Sequence, residues 1–288
     1  MFQIIGIVVV FAMVFGGFTL AGGKFDIIVE ALPFELMMIG GAATGAFLIG
    51  NSLKTITKTL GDLGKLISGS KWKQQDYVDL LTLLFQLTKT MKTKGVIALE
   101  SHIEKPHESS IFSAYPKILK DHFATDFICD TLRMMTMNLE DPHQVEDAME
   151  KQMEKHHHEA AGPAHALQTM ADGLPALGIV AAVLGIIKTM GAIDSPPSVL
   201  GKKIGSALVG TFLGVFLAYG LVGPIAARLN QIYEEEAIFY QIIQSVLVAH
   251  LHGNAAQISV EIGRGNVPTQ FQPSFMELED AVSNAPTA

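Results

Sequence analysis

Few stretches of this chain hold residue types that do chemistry, and most fail on spacing. His156, His157 and His158 could ligate a metal, but consecutive residues point around a helix rather than toward one centre, so a solvated face is the simpler reading. HEAAGPAH (158–165) has the outline of a zinc-protease helix, yet Gly162 stands where the second histidine is needed. LGKK (200–203) resembles the end of a phosphate-binding loop, but Pro196 takes the first glycine's place and Ile204 the place of Ser or Thr. Cys129 is the lone cysteine, which excludes an intrachain disulfide and a cysteine-based zinc site. There is no nucleophile elbow and no dinucleotide fingerprint.

The stretch that calls for explanation is DGLPALGIVAAVLGIIKTM (172–190). It is apolar enough to enter a membrane, yet it carries Pro175, and Gly178, Ala182 and Gly185 fall on one helical face. Gly210, Gly214 and Ala218 repeat the pattern, and Gly41 with Gly45 does so once more. Small residues let helices approach closely in lipid, either to pack this chain's own spans together or to line a path for a separate helix. No apolar run carries an acidic residue well inside it, with Glu35 read as lying at the edge of its run. An ion path usually needs an intramembrane carboxylate. Alone, the chain therefore reads as a poor ion carrier, but it could wall a path whose carboxylate comes from another subunit.

The elements that must position these residues follow from composition. Of 288 residues, 49% are hydrophobic and only 17% charged, against about a quarter in soluble domains. The net charge of −8 argues against nucleic acid as a partner. Four runs, 2–23, 33–51, 174–193 and 204–226, are long enough to cross a bilayer. The first lacks a basic start and is too long for a signal peptide. Lys54, Lys58, Lys65, Lys71 and Lys73 follow the second run, so the positive-inside rule puts 52–172 and both termini in the cytoplasm. Lys202 and Lys203 then fall on the outer side and count against this orientation, while Lys188 can snorkel to the interface.

The expected fold is an all-α integral membrane protein: four transmembrane helices with a large helical cytoplasmic insertion between the second and third. The boundaries are a first hairpin at 1–51, a helical domain at 52–172, a second hairpin at 173–226, and a helix and tail at 227–288. Within the insertion, 73–95 reads as a helix stopped by Gly95. Ile118, Phe123, Phe127, Ile128 and Leu132 form a stripe. Asp141 and Pro142 start a further helix. PTQFQPSFMELEDAVSNAPTA reads as a loosely attached tail.

DGLPALGIVAAVLGIIKTMGA and LVGTFLGVFLAYGLVGPIA resemble the last two spans of the MotA family of flagellar stator subunits, related to the ExbB and TolQ energising proteins. GGKF, GGAATGAFLIGN, GVIALESHIEKPHESSIFSAYPKIL and PSFMELED extend the resemblance along most of the chain. It implies a non-enzymatic subunit of the bacterial inner membrane. A ring of such subunits, five around two, would surround MotB, which brings the membrane aspartate and a peptidoglycan anchor. Ion flow would turn the rotor through FliG. The resemblance implies no cofactor beyond the coupling ion.

The resemblance also assigns roles to residues. Pro175 and Pro224 match prolines that couple ion binding to conformational change, although a proline in a helix's first turn is unstrained and Pro175 lies close to such a position. Thr211 matches a pore-facing threonine, whose hydroxyl could also return to its own helix. Ala182 stands where sodium-driven relatives carry threonine, so the missing oxygen favours protons over sodium. Lys92 and Glu100 match a rotor-facing arginine and glutamate. Lysine keeps the charge but loses the bidentate fork, and Lys89 and Lys94 could share its role. An ExbB- or TolQ-type energiser, opposed by the fourth span, and a non-energising scaffold remain as alternatives.

Overall fold

The computed structural model describes residues 2–137 and 141–285. Among these, every regular element is helical. In chain order they are α1 (Phe2–Leu20), α2 (Asp26–Gly50), α3 (Leu53–Asp62), α4 (Lys65–Ser68), α5 (Gln74–Lys94), α6 (Val96–Glu104) and α7 (Pro116–Leu119). Then follow α8 (His122–Thr136), α9 (Pro142–Met190), α10 (Pro197–Leu217), a π-helical turn (Ala218–Val222), α11 (Gly223–Leu251), α12 (Ala256–Gly265) and α13 (Phe275–Ser283). Four stretches are long and apolar enough to cross a membrane: α1, α2, α9, and the run from α10 through α11.

The chain divides into two compact units. The first comprises Met1–Gly69 and Ala161–Ile232, the second Ser70–Ala160 and Tyr233–Ala288. In the first unit, α2 packs against α10, where Ile39, Ala43, Leu174, Ala181, Leu213 and Ala218 form a small buried cluster. Phe11 of α1 meets Phe216 of α10 edge-on at 5.2 Å, and Phe15 meets Phe212 at 6.0 Å.

Two expectations about the spans need correction. The second span begins not at Pro33 but at Asp26, with Pro33 inside the helix. Pro175 likewise lies deep within the 49 residues of α9, far from any first turn. Both prolines read as helix starts because a proline usually ends the preceding pattern. In a membrane helix, neighbouring groups can absorb the freed backbone carbonyl, so the helix runs on.

The second unit is built like a soluble core. The Lys73 N–H donates to Asp76 Oδ2 at 2.7 Å and starts α5, which buries Leu80, Leu81, Leu83, Leu84 and Leu87. Asp121 accepts from the Ala124 N–H at 2.8 Å and starts α8, splitting the expected stripe between α7 and α8. The Trp72 ring lies flat on Phe239 at 3.7 Å. Asp141 accepts from the His143 N–H at 3.0 Å, as a residue before a helix-starting proline should.

The C-terminal stretch is not a loose tail. Ser274 and Glu277 form a reciprocal capping box that starts α13, and Leu278 is buried in the core. The proline- and glutamine-rich approach to α13 hid an S-x-x-E start signal.

Candidate functional site

The glycines of α9 and α10 meet each other. A Cβ on Gly214 would stand 2.6 Å from the Leu174 carbonyl oxygen and 2.9 Å from Gly178 Cα. A Cβ on Gly178 would stand 2.8 Å from the Gly210 oxygen, and one on Gly185 2.7 Å from Ala207 Cβ. All lie inside the distance that real Cβ atoms keep. Packing of this chain's own spans therefore uses the small faces of α9 and α10. Gly41 and Gly45 on α2 differ, for a Cβ on either would meet nothing within 4 Å.

The expected site residues of the spans gather around this crossing. Ala182 is buried, and its backbone nitrogen lies 3.3 Å from where a Cβ on Gly210 would stand, so it faces α10 rather than open space. Thr211, the next residue after Gly210, is half-buried. Its hydroxyl takes no part in the hydrogen bonds found among the described residues, whereas Thr189 returns its own to Gly185 O at 2.8 Å. Pro175 follows Leu174, whose carbonyl is seated against Gly214. Having no N–H, Pro175 leaves the Ala171 carbonyl without its usual helical donor.

Pro224 belongs to a second irregularity. It lacks the N–H that would reach Gly220, and the helix widens just before it into the π turn. The Gly223 N–H closes that turn onto the Ala218 oxygen. A Cβ on Gly223 would stand 2.9 Å from the same oxygen, so the close approach demands glycine.

The absence of an acidic residue well inside the spans does not hold. Starting α2 at Asp26 moves Glu35 from the edge into the helix, where its side chain is only 4% exposed. Its Oε2 is enclosed, has no hydrogen-bond partner among the described residues, and lies 2.6 Å from where a Cβ on Gly210 would stand. The sequence signal is a single charge close behind Pro33, which reads as the edge of the apolar run unless the helix is known to start at Asp26.

Lys92 and Glu100 lie together at a corner of the second unit. Lys92 is in the last turn of α5 and Glu100 in α6, and both are exposed. Gly95 joins the helices with φ 84°, a left-handed conformation that favours glycine, and its N–H caps Met91 O at 3.1 Å. Between them in the chain comes Ile97, 84% exposed, an apolar residue off any stripe that looks ordinary in sequence. An open cleft adjoins Glu100 and is lined by Glu104, Glu108, Lys105 and His102. Burial, aided by the Lys94 charge, pushes the His102 imidazole below its ordinary pKa. His102 Nδ1 also shares a 2.8 Å hydrogen bond with Ser109 Oγ. The end of α5 and the start of α6 thus present an exposed cation, an exposed apolar side chain and an exposed anion, which suits docking rather than bond chemistry.

The triple histidine does not converge. His156 stacks on Phe123 at 3.6 Å, while His157 Nε2 lies 3.2 Å from Glu234 Oε1. Among the described residues no group of His, Cys, Asp and Glu could hold a metal ion. Burial raises the Cys129 thiol to about 12, which leaves it unreactive.

The family description Motility protein A N-terminal matches residues 4–95, and that of the MotA/TolQ/ExbB proton channel family matches residues 119–241. Motility protein A of Escherichia coli strain K12 is 41% identical over 282 residues, covering 98% of this chain and 95% of that protein. Chemotaxis protein LafT of Vibrio parahaemolyticus is 34% identical over 277 residues, covering 96% of both. The flagellar MotAB stator complex from Bacillus subtilis shares the fold, with a TM-score of 0.67 and 22% identity over 96% of this chain and 98% of that one.

Proposed function

From the premise that this chain belongs to the MotA/TolQ/ExbB proton channel family, we propose that it is the ring-forming stator subunit of a bacterial flagellar motor. It is a non-enzymatic protein of the cytoplasmic membrane with both termini inside the cell. Five copies surround two copies of MotB, which supplies the membrane aspartate and the peptidoglycan anchor. Protons, rather than sodium, drive it, since Ala182 offers no side-chain oxygen to a hard cation.

The α9–α10 crossing supports a specific sequence of events. Protonation of the partner's aspartate changes the charge facing the crossing. Because Gly178 and Gly214 meet backbone to backbone, one helix cannot shift without the other. Pro175 and Pro224 mark where each helix has lost a hydrogen bond and bends most readily. At the other end of the mechanism, Lys92 and Glu100 engage complementary charges on FliG, with Ile97 as the apolar centre of the contact. The observation that carries the reading is the coexistence of a glycine-packed, proline-bearing membrane pair and an exposed charged corner in one chain.

A strain lacking this gene tests it. Cells should keep normal filaments that do not rotate, and the intact gene should restore swimming. Lys92→Glu and Glu100→Lys should each lower swimming speed while leaving the membrane level of the protein unchanged, because exposed substitutions usually move stability by less than about 0.5 kcal/mol. Normal swimming in the deleted strain, with no second stator set present, would remove the stator reading.

A further inference from the structure

Between the first half of α2, the end of α9 and the start of α10 lies a cavity of about 480 Å³. Its polar lining is Glu30, Glu35, Lys188, Thr189, Lys202, Lys203 and Ser206. Exposure falls from mouth to base: Glu30, Lys188 and Lys202 are exposed, Lys203 is half-buried, and Glu35 is buried. Beyond this lining, three groups converge on the point that a Cβ of Gly210 would occupy: Glu35 Oε2 at 2.6 Å, Ala181 Cβ at 3.2 Å and the Ala182 nitrogen at 3.3 Å. Glycine at 210 is thus what admits the carboxylate to the α9–α10 crossing, one residue from Thr211. An enclosed carboxylate oxygen without a hydrogen-bond partner is stable in apolar surroundings only when a proton or a cation accompanies it.

We propose that Glu35 is a proton-exchanging station of this chain's own, at the base of a wet cavity that feeds the α9–α10 crossing. The inference rests on the stator reading above. The carboxylate takes a proton from hydronium in the cavity, forming the carboxylic acid and leaving water. It then gives that proton to the partner's membrane aspartate and returns to the carboxylate, and no electrons change hands. The other charged groups lining the cavity are Glu30 on its own helix, Lys188 from α9, and Lys202 and Lys203 from α10.

The test compares wild type, Glu35→Gln and Glu35→Asp in the full complex, reading single-motor speed at low load on either side of neutral external pH. Glu35→Gln keeps the shape but cannot exchange a proton. It should co-purify with the partner at the normal level, rotate roughly tenfold slower and lose its response to external pH, a positioned proton-transfer group being worth about 10²-fold or more in the transfer step itself. Glu35→Asp should recover part of both. Gly210→Ala, which pushes the carboxylate out of its seat, should slow the motor as Glu35→Gln does. Wild-type speed and pH response in Glu35→Gln would overturn the inference. So would failure of Glu35→Gln to co-purify, which would make the residue a packing element. A wild-type gene that cannot restore rotation would instead sink the stator reading, so the two failures are distinguishable.

Discussion

The two units solve packing in opposite ways. The second unit buries large side chains: Trp72, Tyr77, Phe112, Phe127 and Phe239 are fully enclosed, with a row of leucines from α5. In the first unit the largest comparable side chains are Ile39, Leu229 and Ile232, while residues such as Leu20 and Ile49 stand almost wholly exposed. There Gly178 and Gly214 of crossing helices meet backbone to backbone. Water drives the first kind of burial, since removing apolar area from it is worth about 25 cal/mol per Å². Lipid offers no such reward, because its tails are as apolar as leucine, and helices there associate through close backbone approach. The difference teaches where each unit is fragile: the first to gain of volume along its backbone crossing, the second chiefly to loss of it, although Gly263 there also leaves no room for a Cβ.

Phe239→Ala should give the largest effect. Phe239 is fully buried and touches Trp72, Tyr77 and Tyr240. Emptying such a site costs about 3–5 kcal/mol. Trp72 is the chain's single tryptophan and stacks on this ring, so its fluorescence reports unfolding of the second unit directly. A loss in purified full-length protein well below that range would mean that the stack is not central to this core.

Gly214→Val comes next and tests the opposite fragility. The added Cβ would strike the Leu174 oxygen and Gly178 Cα, both backbone atoms that cannot rotate away. Overpacking of this kind costs about 1–3 kcal/mol, and here it also forces α9 and α10 apart. Swimming should stop and the membrane level of the protein should fall. Gly41→Ala is the matched control, since nothing stands within 4 Å of its new Cβ. It should leave swimming unchanged, with up to about 1 kcal/mol gained from helix propensity. If Gly41→Ala stopped rotation instead, another chain must sit on that face of α2, and the contrast between open and closed glycines would become a map of the ring's contacts.

What the sequence made legible follows the same division. The spans showed in composition alone, and local stop and start signals at Gly95 and Asp141–Pro142 placed helix ends correctly. These are one-dimensional signals. The start of α2 was not legible, because a proline at position 33 looks the same whether it begins a helix or lies inside one. That single ambiguity hid Glu35. The tail was misjudged for a related reason: Leu278 shows as an anchor only once the core that receives it exists. The small faces of α9, α10 and α2 looked alike in sequence, and only the packing separates those already filled from those still open.

The smallest expected effect concerns a polar group inside the water-built unit. His250 is half-buried near the end of α11, and its Nδ1 is enclosed without a hydrogen-bond partner among the described residues. Burial, with the Lys92 charge adding to it, pushes this imidazole below its ordinary value of 6.5, against a backbone hydrogen bond with Asn254 that raises it. His102 is displaced in the same direction by burial and by Lys94. A lowered folded-state pKa means that the unfolded chain binds more protons once the pH drops below 6.5. The stability of the second unit should therefore be fully present above that pH and decline as the solution is acidified below it. His250→Gln cannot take up the proton, so it should flatten part of this decline, leaving the part due to His102. Denaturant midpoints followed by Trp72 fluorescence at neutral and acidic pH would read both slopes. Equal slopes in wild type and His250→Gln would show that the second unit tolerates a charge at this position, and would narrow its fragility to lost volume alone.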